Sequence, residues 1–369
     1  MAASVTEVAD IVFGPGELWS WGRGVYGRLG DGTTVNKSSP VQVGSATNWM
    51  HIPQHGFATT GGVNEDGKLY MFGYNIKGAL GIGTTTNMSS PSQVGSLTNW
   101  ASVSSGFKMA NAVKTDNTLW GWGGQDSHGC VGNNSGTDIS SPVQIGSLTD
   151  WSVISANMRS TLAVKTDGTL WAWGKNQYGM LGDGSTTSRS SPVQIGSLTN
   201  WSKISCGSYA SAAVKTDGTL WTWGGGNQGR LGRGNTTNYS SPVQLGSATD
   251  WKDVDVGSVG MAAVKTGGAL WMWGTNDQGQ LGRGDTTNDN SSPIQVGSLT
   301  NWSKVGIGNL FVCGLKKDGT LWGWGKNNNG YLGTGNTTSY SSPVQIGSLT
   351  TWIGVYVHNK GVHGKKTAS

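Results

Sequence analysis

The chain of 369 residues holds 62 glycines, 19 tryptophans and only 12% charged residues, a turn-rich composition whose regularly placed tryptophans argue against disorder. Its net charge of +5 is spread without a dense Lys/Arg block, so it carries no strong nucleic-acid signal, which would need clustered phosphate neutralisation. No run approaches the ~18 apolar residues of a membrane span, so membrane insertion is not expected, and the odd trio Cys130, Cys206 and Cys313 reads as free thiols.

From the N-terminus, MAASVTEVADIVF lacks the basic start and long apolar stretch of a signal peptide. The expected setting is therefore a virion or the cytoplasm. Ile11-Val12-Phe13 reads as a strand, and Leu18-Trp19-Ser20-Trp21-Gly22 as the next. That L-W-x-W-G segment returns at Leu119, Leu170, Leu220, Leu270 and Leu321. At Leu69 it reads L-Y-M-F-G, with Tyr70 and Phe72 replacing both indoles. Its second aromatic recurs at 21, 72, 122, 173, 223, 273 and 324, a step of 50 or 51 residues. The other seven tryptophans close T-x-W at 49, 100, 151, 201, 251, 302 and 352. Self-similarity at this period marks a propeller or array, in which each unit is too small to bury its own apolar face.

In one unit, Trp201 to Ser205 reads as a first strand, Ala212 to Thr216 as a second and Thr219 to Gly224 as a third. Pro242 to Leu245 reads as the outer strand, with proline at a strand start or edge. Asp217-Gly218 reads as a two-residue hairpin turn, both residues tolerating positive φ. Four short strands in such a unit make a propeller blade. Trp221 and Trp223 share one face of their strand and Leu220 points to the other, so each blade is expected to be sandwiched between two neighbours. The chain ends are complementary. It enters at the second strand of a unit, with Ile11-Val12, while Trp352-Ile353-Gly354-Val355 supplies a first strand. Val362 to Lys366 competes with Ile11-Val12 for the second position. The expected fold is all-β: a seven-bladed β-propeller of four-stranded blades, closed by strands from both termini. It forms a single domain over 1–369, with 1–10 and 366–369 as short tails. The unit with Tyr70 and Phe72 is the expected weak seam, where restoring tryptophan should raise thermal stability.

Catalytic chemistry is hard to find. G-x-G-x-x-G occurs at Gly22 to Gly27 and at Gly224 to Gly229, but more loop follows where a dinucleotide site needs a helix. The pairs at Asp66, Asp167, Asp217 and Asp318 offer one carboxylate each, and a calcium loop needs several oxygen ligands. His51, His55, His128, His358 and His363 share no metal-ligand spacing with a cysteine. No nucleophile, base and orienting acid stand out, so neither enzyme activity nor a cofactor or metal is expected.

The stretch from Ala163-Val164-Lys165-Thr166-Asp167-Gly168 to Gly184 follows A-V-K-x-D-G-x-L-W-x-W-G-x-N-x-x-G-x-L-G-x-G. This resembles the repeats of the regulator of chromosome condensation family, over essentially the whole chain. The added T-T-x-x-x-S-S-P-V-Q-x-G-S-x-T-x-W is similar to the version in bacterial and phage-encoded members. The resemblance implies a seven-bladed propeller used as a binding or structural body. Many members carry histidine in G-x-x-H-T, where this chain has Thr59, Met109, Ser160, Ala210, Gly260 and Phe311. The exchange-factor and photoreceptor activities of the family are therefore not expected here.

Variation between the units falls in three loop segments. One follows L-W-x-W-G, one is the residue inside L-G-x-G, and one precedes A-V-K and includes Phe107, Lys108, Met158, Arg159 and Tyr209. Tyr26, Arg28, Tyr178, Arg230, Arg233, Arg283 and Tyr331 are the candidate exposed binding residues, being of types enriched in interface hot spots. The expected function is a non-enzymatic structural or attachment propeller, phage virion-associated (capsid or tail) or a bacterial binding protein. The alternative is a soluble protein-binding propeller, an inhibitor or small-GTPase regulator. The expected partner is a capsid, tail or host surface protein, or a surface glycan.

Overall fold

The computed structural model describes residues 14–368, and they form seven four-stranded antiparallel blades arranged in a closed ring. Blade 1 is composite: Trp352–His358, Gly361–Thr367, Gly16–Gly22 and Lys37–Gln42, from the channel outward. Blades 2 to 7 occupy 49–93, 100–144, 151–194, 201–244, 251–295 and 302–345. In blade 5 the strands are Trp201–Cys206, Ala210–Lys215, Leu220–Gly224 and Tyr239–Gln244.

Two features of the blade differ from the expected ones. The turn between second and third strands is not a two-residue hairpin with two positive φ angles. Gly218 N–H donates to Lys215 O and Lys215 N–H to Thr219 O, and Gly218 alone takes positive φ, at 77°. Such a turn followed by a left-handed glycine is the three-residue hairpin with a bulge, which keeps the twist of the strands. Pro242 lies inside the outer strand, not at its start. The register slips between Thr222–Val243 and Gly224–Tyr239, so Ser240-Ser241-Pro242 bulges where proline's missing donor costs nothing.

Blades stack through unlike faces. Trp201, Trp223 and Ala213 of blade 5 pack on Leu162, Val164, Leu170, Ala172 and Leu181 of blade 4. The opposite face of blade 5, with Ala212, Val214 and Leu220, receives Trp251 and Trp273 of blade 6. Trp21, Trp122, Trp173, Trp223, Trp273 and Trp324 are completely buried. At roughly 150–250 Å² each and ~25 cal/mol per Å², such a ring supplies roughly 4–6 kcal/mol of gross hydrophobic drive. The indole N–H also finds a partner across the interface: Trp223 Nε1 donates to Met180 O at 2.9 Å. The glycine of L-G is what lets the indole in, because a Cβ on Gly182 would lie 2.8 Å from Trp223 Nε1.

Ring closure uses two strands from each end. Gly361–Thr367 pairs with Gly16–Gly22 along all seven residues and with Trp352–His358 through a short hairpin. The expected second strand at Ile11-Val12 lies outside the described residues, and Gly361–Thr367 fills the position it would take. A local hairpin costs little closure entropy, which favours this arrangement. Lys366 and Thr367, expected in a tail, belong to that strand.

Candidate functional site

The innermost strand of each blade is an edge facing the central channel, and its free N–H groups need acceptors. In blades 4 to 7, side chains of the preceding blade supply them. Ser104 Oγ accepts from Ala156 N, Ser155 Oγ from Cys206 N, Ser205 Oγ from Val256 N, and Asp255 Oδ2 from Ile307 N, at 2.7–3.0 Å. Across the channel, the blade 2 loop inserts His55, whose Nε2 is 2.9 Å from Ser205 Oγ and 3.0 Å from Asp255 Oδ1.

Serine, histidine and aspartate thus meet, a contact invisible in the sequence because its members come from blades 5, 2 and 6. It is not a nucleophile-activating set. Both partners share one imidazole nitrogen, whereas a triad places them on opposite nitrogens. All three residues are buried, and the adjacent cavity, bounded by His55, Asn157, Ser258 and His358, is about 10 Å³, room for about one water. The contact is a polar plug. A larger groove, about 250 Å³, lies on the outer wall of blades 2 and 3 against Ile82, Leu97, Trp100 and Trp120. It is apolar and lacks the converging polar groups of a reactive site.

The long loops and the turns between first and second strands emerge on one face of the ring, since they leave the same edge of each sheet. On that face Tyr26, Tyr74, Phe107 and Phe57 form a continuous aromatic strip across blades 1, 2 and 3. Ring centroids are 4.8 Å apart for Tyr26–Tyr74, 6.2 Å for Tyr74–Phe107 and 4.7 Å for Phe57–Phe107. Tyr26 is 44% exposed, and the other three are partly exposed. Cations rim the strip. Lys108 Nζ lies over Phe107 at 4.9 Å, Lys360 Nζ over Phe57 at 6.0 Å, and Arg28 Cζ over Tyr26 at 5.8 Å. Arg23 N donates to Lys360 O at 3.0 Å, placing two cationic residues side by side. Burial lowers the Lys360 pKa, and the positive charges of Arg23, Arg28 and Lys326 lower it further. A second, smaller cluster joins Tyr178 to Tyr209 at 5.8 Å, with Arg230 over Tyr209.

The structure separates the seven sequence candidates. Tyr26 and Tyr178 stand on the aromatic face. Arg28, Arg230 and Tyr331, expected to be exposed, are buried at 6, 7 and 6% exposure. The reason lies in the residue after W-G-x. Where it is asparagine, as at Asn176, the side chain is fully buried. It ties up the long loop, accepting from Leu181 N and donating to Ser185 O and Thr187 O. Blades 1 and 5 have Gly24 and Gly226 there, and the chain instead makes a 3-10 turn with Tyr26 and Gln228 at φ 67° and 61°.

The arginine that follows folds back into the space. Arg28 donates to Val25 O and to Phe57 O of blade 2; Arg230 donates to Asn227 O and to Ser258 O of blade 6. Both clamp one blade to the next, and burial lowers the Arg28 pKa to about 10. Tyr331 stacks on Phe311 at 4.8 Å. Arg233 and Arg283 point away from the strip, Arg233 to Val243 O and Gln244 O of the outer strand and Arg283 to Asp285 and Asn288 O. Phe57 of blade 2 and Lys360 of blade 1 carry no signal of their own in the sequence, and Tyr74 of blade 2 lies in one of the variable segments after L-W-x-W-G, but only the ring brings these three to Tyr26 and Phe107. The three cysteines are buried free thiols, and burial pushes Cys206 up to about 11 and Cys130 up to about 12, which leaves them inert.

Comparison with known proteins adds family context. A model described as "Regulator of chromosome condensation (RCC1) repeat" matches residues 15–53, 66–109, 167–214, 217–264, 267–315 and 318–360. The ultraviolet-B receptor UVR8 of Arabidopsis thaliana is 33% identical over 180 residues, 47% of this chain and 41% of the receptor. The E3 ubiquitin-protein ligase HERC2 of Mus musculus is 30% identical over 172 residues, 43% of this chain and 4% of the ligase. The chain therefore spans less than half the length of these relatives. Human WBSCR16 superposes with a TM-score of 0.86 at 18% identity, covering 95% of this chain and 99% of that one. Prp20p from Saccharomyces cerevisiae, its structure described together with binding to Gsp1p and histones, superposes with a TM-score of 0.83 at 17% identity, covering 96% and 92%. At such identities the two structures share the fold alone.

Proposed function

The chain belongs to the regulator of chromosome condensation repeat family, and from that premise we propose that it is a non-enzymatic, protein-binding propeller. Its partner docks on the loop face over blades 7, 1, 2 and 3. The aromatic strip Tyr26–Tyr74–Phe107–Phe57 carries this reading. Partly exposed aromatics next to arginine and lysine stems are the residue types that anchor interfaces, and they fall where the otherwise uniform units differ. A binding role accords with relatives named as a receptor and with the partner binding described for Prp20p. The virion or glycan-attachment expectation draws no support from these relatives, and the alternative of a soluble binding protein or regulator fits them better.

Site-specific photo-crosslinking tests the reading. A photoreactive residue at Phe107 should capture a stoichiometric protein partner, and one at Leu198, 44% exposed on the opposite face, should not. Capture from position 198 with none from position 107 would overturn it.

A further inference from the structure

The loop face carries a charge imbalance that the fold does not use. Arg23, Lys326 and Lys360 gather at the junction of blades 7 and 1, with Arg28 beneath them. Among the described residues none of the four is ion-paired, whereas Lys108 and Arg159 at the far edge of the strip share Asp126 at 3.4 and 3.1 Å. The electrostatic neighbours of Arg28, Lys360 and the buried Tyr331 are other cations or tyrosines, with no carboxylate. Like charges held together without counter-charge cost free energy in the unbound protein, and an incoming anion relieves that cost.

The adjoining rings decide what kind of anion fits. A single-stranded nucleic acid needs a free ring face for base stacking. Here Tyr74 lies between Tyr26 and Phe107, and Phe107 meets Phe57 edge-on and has Lys108 over its face. Packed rings of this kind suit an aliphatic or aromatic side chain laid along them, as at protein interfaces. Resting on the protein-binding reading, we propose that this face docks an extended acidic peptide segment of the partner. Its carboxylates meet Arg23, Lys326 and Lys360, and an apolar side chain lies on Tyr26 and Tyr74.

The test is fluorescence anisotropy on the full chain with a labelled peptide alternating Glu and Asp around one Phe. Its Gln/Asn counterpart and an oligothymidylate serve as comparisons. The acidic peptide should bind, weaken steeply with added salt, and lose about tenfold or more in affinity in the Arg23→Glu/Lys360→Glu variant. Arg283→Glu, away from the strip, should leave the affinity unchanged. If the charge-reversed variant does not fold, Lys326→Ala/Lys360→Ala gives the same reading with a smaller loss. Equal binding of the Gln/Asn peptide, undiminished binding by a folded variant, preference for oligothymidylate or no binding of the acidic peptide would each overturn the inference. If the acidic peptide fails while crosslinks persist from position 107, this inference falls and the protein-binding reading stands; loss of both removes both.

Discussion

At the scale of single residues, the T-D-G-T-L-W segment is a short hydrogen-bond relay. In blade 5, Asp217 Oδ1 accepts from Thr219 N and from Thr219 Oγ1 at 2.9 and 2.6 Å, and Trp221 Nε1 donates to Thr219 Oγ1 at 3.0 Å. The same chain of contacts recurs at Asp116-Thr118-Trp120, Asp167-Thr169-Trp171 and Asp318-Thr320-Trp322. It holds the Asp217 carboxyl below its usual pKa, chiefly through the Thr219 hydroxyl. Blade 6 has Gly267 and Ala269 at the two positions, and Trp271 Nε1 is buried without a partner. A Cβ on Gly267 would meet nothing within 4 Å, and Gly267 is not at positive φ. Gly267→Asp with Ala269→Thr should therefore raise the unfolding free energy by about 1–2 kcal/mol, read from denaturant midpoints. An unchanged or lower midpoint would remove the relay from the account. The sequence located this turn, but gave neither its three-residue geometry nor its bonds. It also made Arg28 and Arg230 look like surface residues, because burial of an arginine depends on what Gly24 and Gly226 leave empty.

At the scale of strands and blades, the unit lacking both indoles differs from the expected weak point. Phe72 is fully buried, and its ring lies 5.6 Å from His363 of blade 1. Blades 5 and 6 carry alanine at the equivalent strand position, Ala212 and Ala262, paired with Thr222 and Met272 of the next strand. In blade 1 the pair is His363 with Ser20. The larger imidazole thus fills the volume that the smaller Phe72 gives up, and burial pushes the His363 pKa down to about 3, so the ring stays neutral. Phe72→Trp alone should overpack the interface and lower stability by about 1–3 kcal/mol. Phe72→Trp with His363→Ala should recover most of that loss, since neighbours that share one space are not additive. Equal effects of Phe72→Trp in the two backgrounds would contradict the compensation. The loss of both indoles was plain in the sequence. Its compensation was not, because His363 sits at the far end of the chain and comes into contact only when the ring closes.

At the scale of the whole molecule, one indole-bearing face set against one aliphatic face repeats around the ring, and this repetition made blade number and stacking legible from period alone. Which strands close the ring was not legible, since Val362-His363-Gly364 departs from the A-V-K pattern and only pairing with Gly16–Gly22 identifies it. The proposed binding face was half legible. Variation between units points to Tyr26, Phe107 and the segment that Tyr74 opens, while Phe57 and Lys360 need the ring to join them. The uniform framework supplies rigidity, and the proposed binding role rests where the units differ, on the loop face over blades 7, 1, 2 and 3. Hydrogen exchange with and without the crosslinked partner tests that claim most directly. Exchange should slow in 22–28, 55–58, 74–78, 106–109 and 358–360, with the opposite-face turns around Leu148, Leu198 and Leu299 unchanged. Protection of those opposite turns, with the five loop-face segments unaffected, would contradict it.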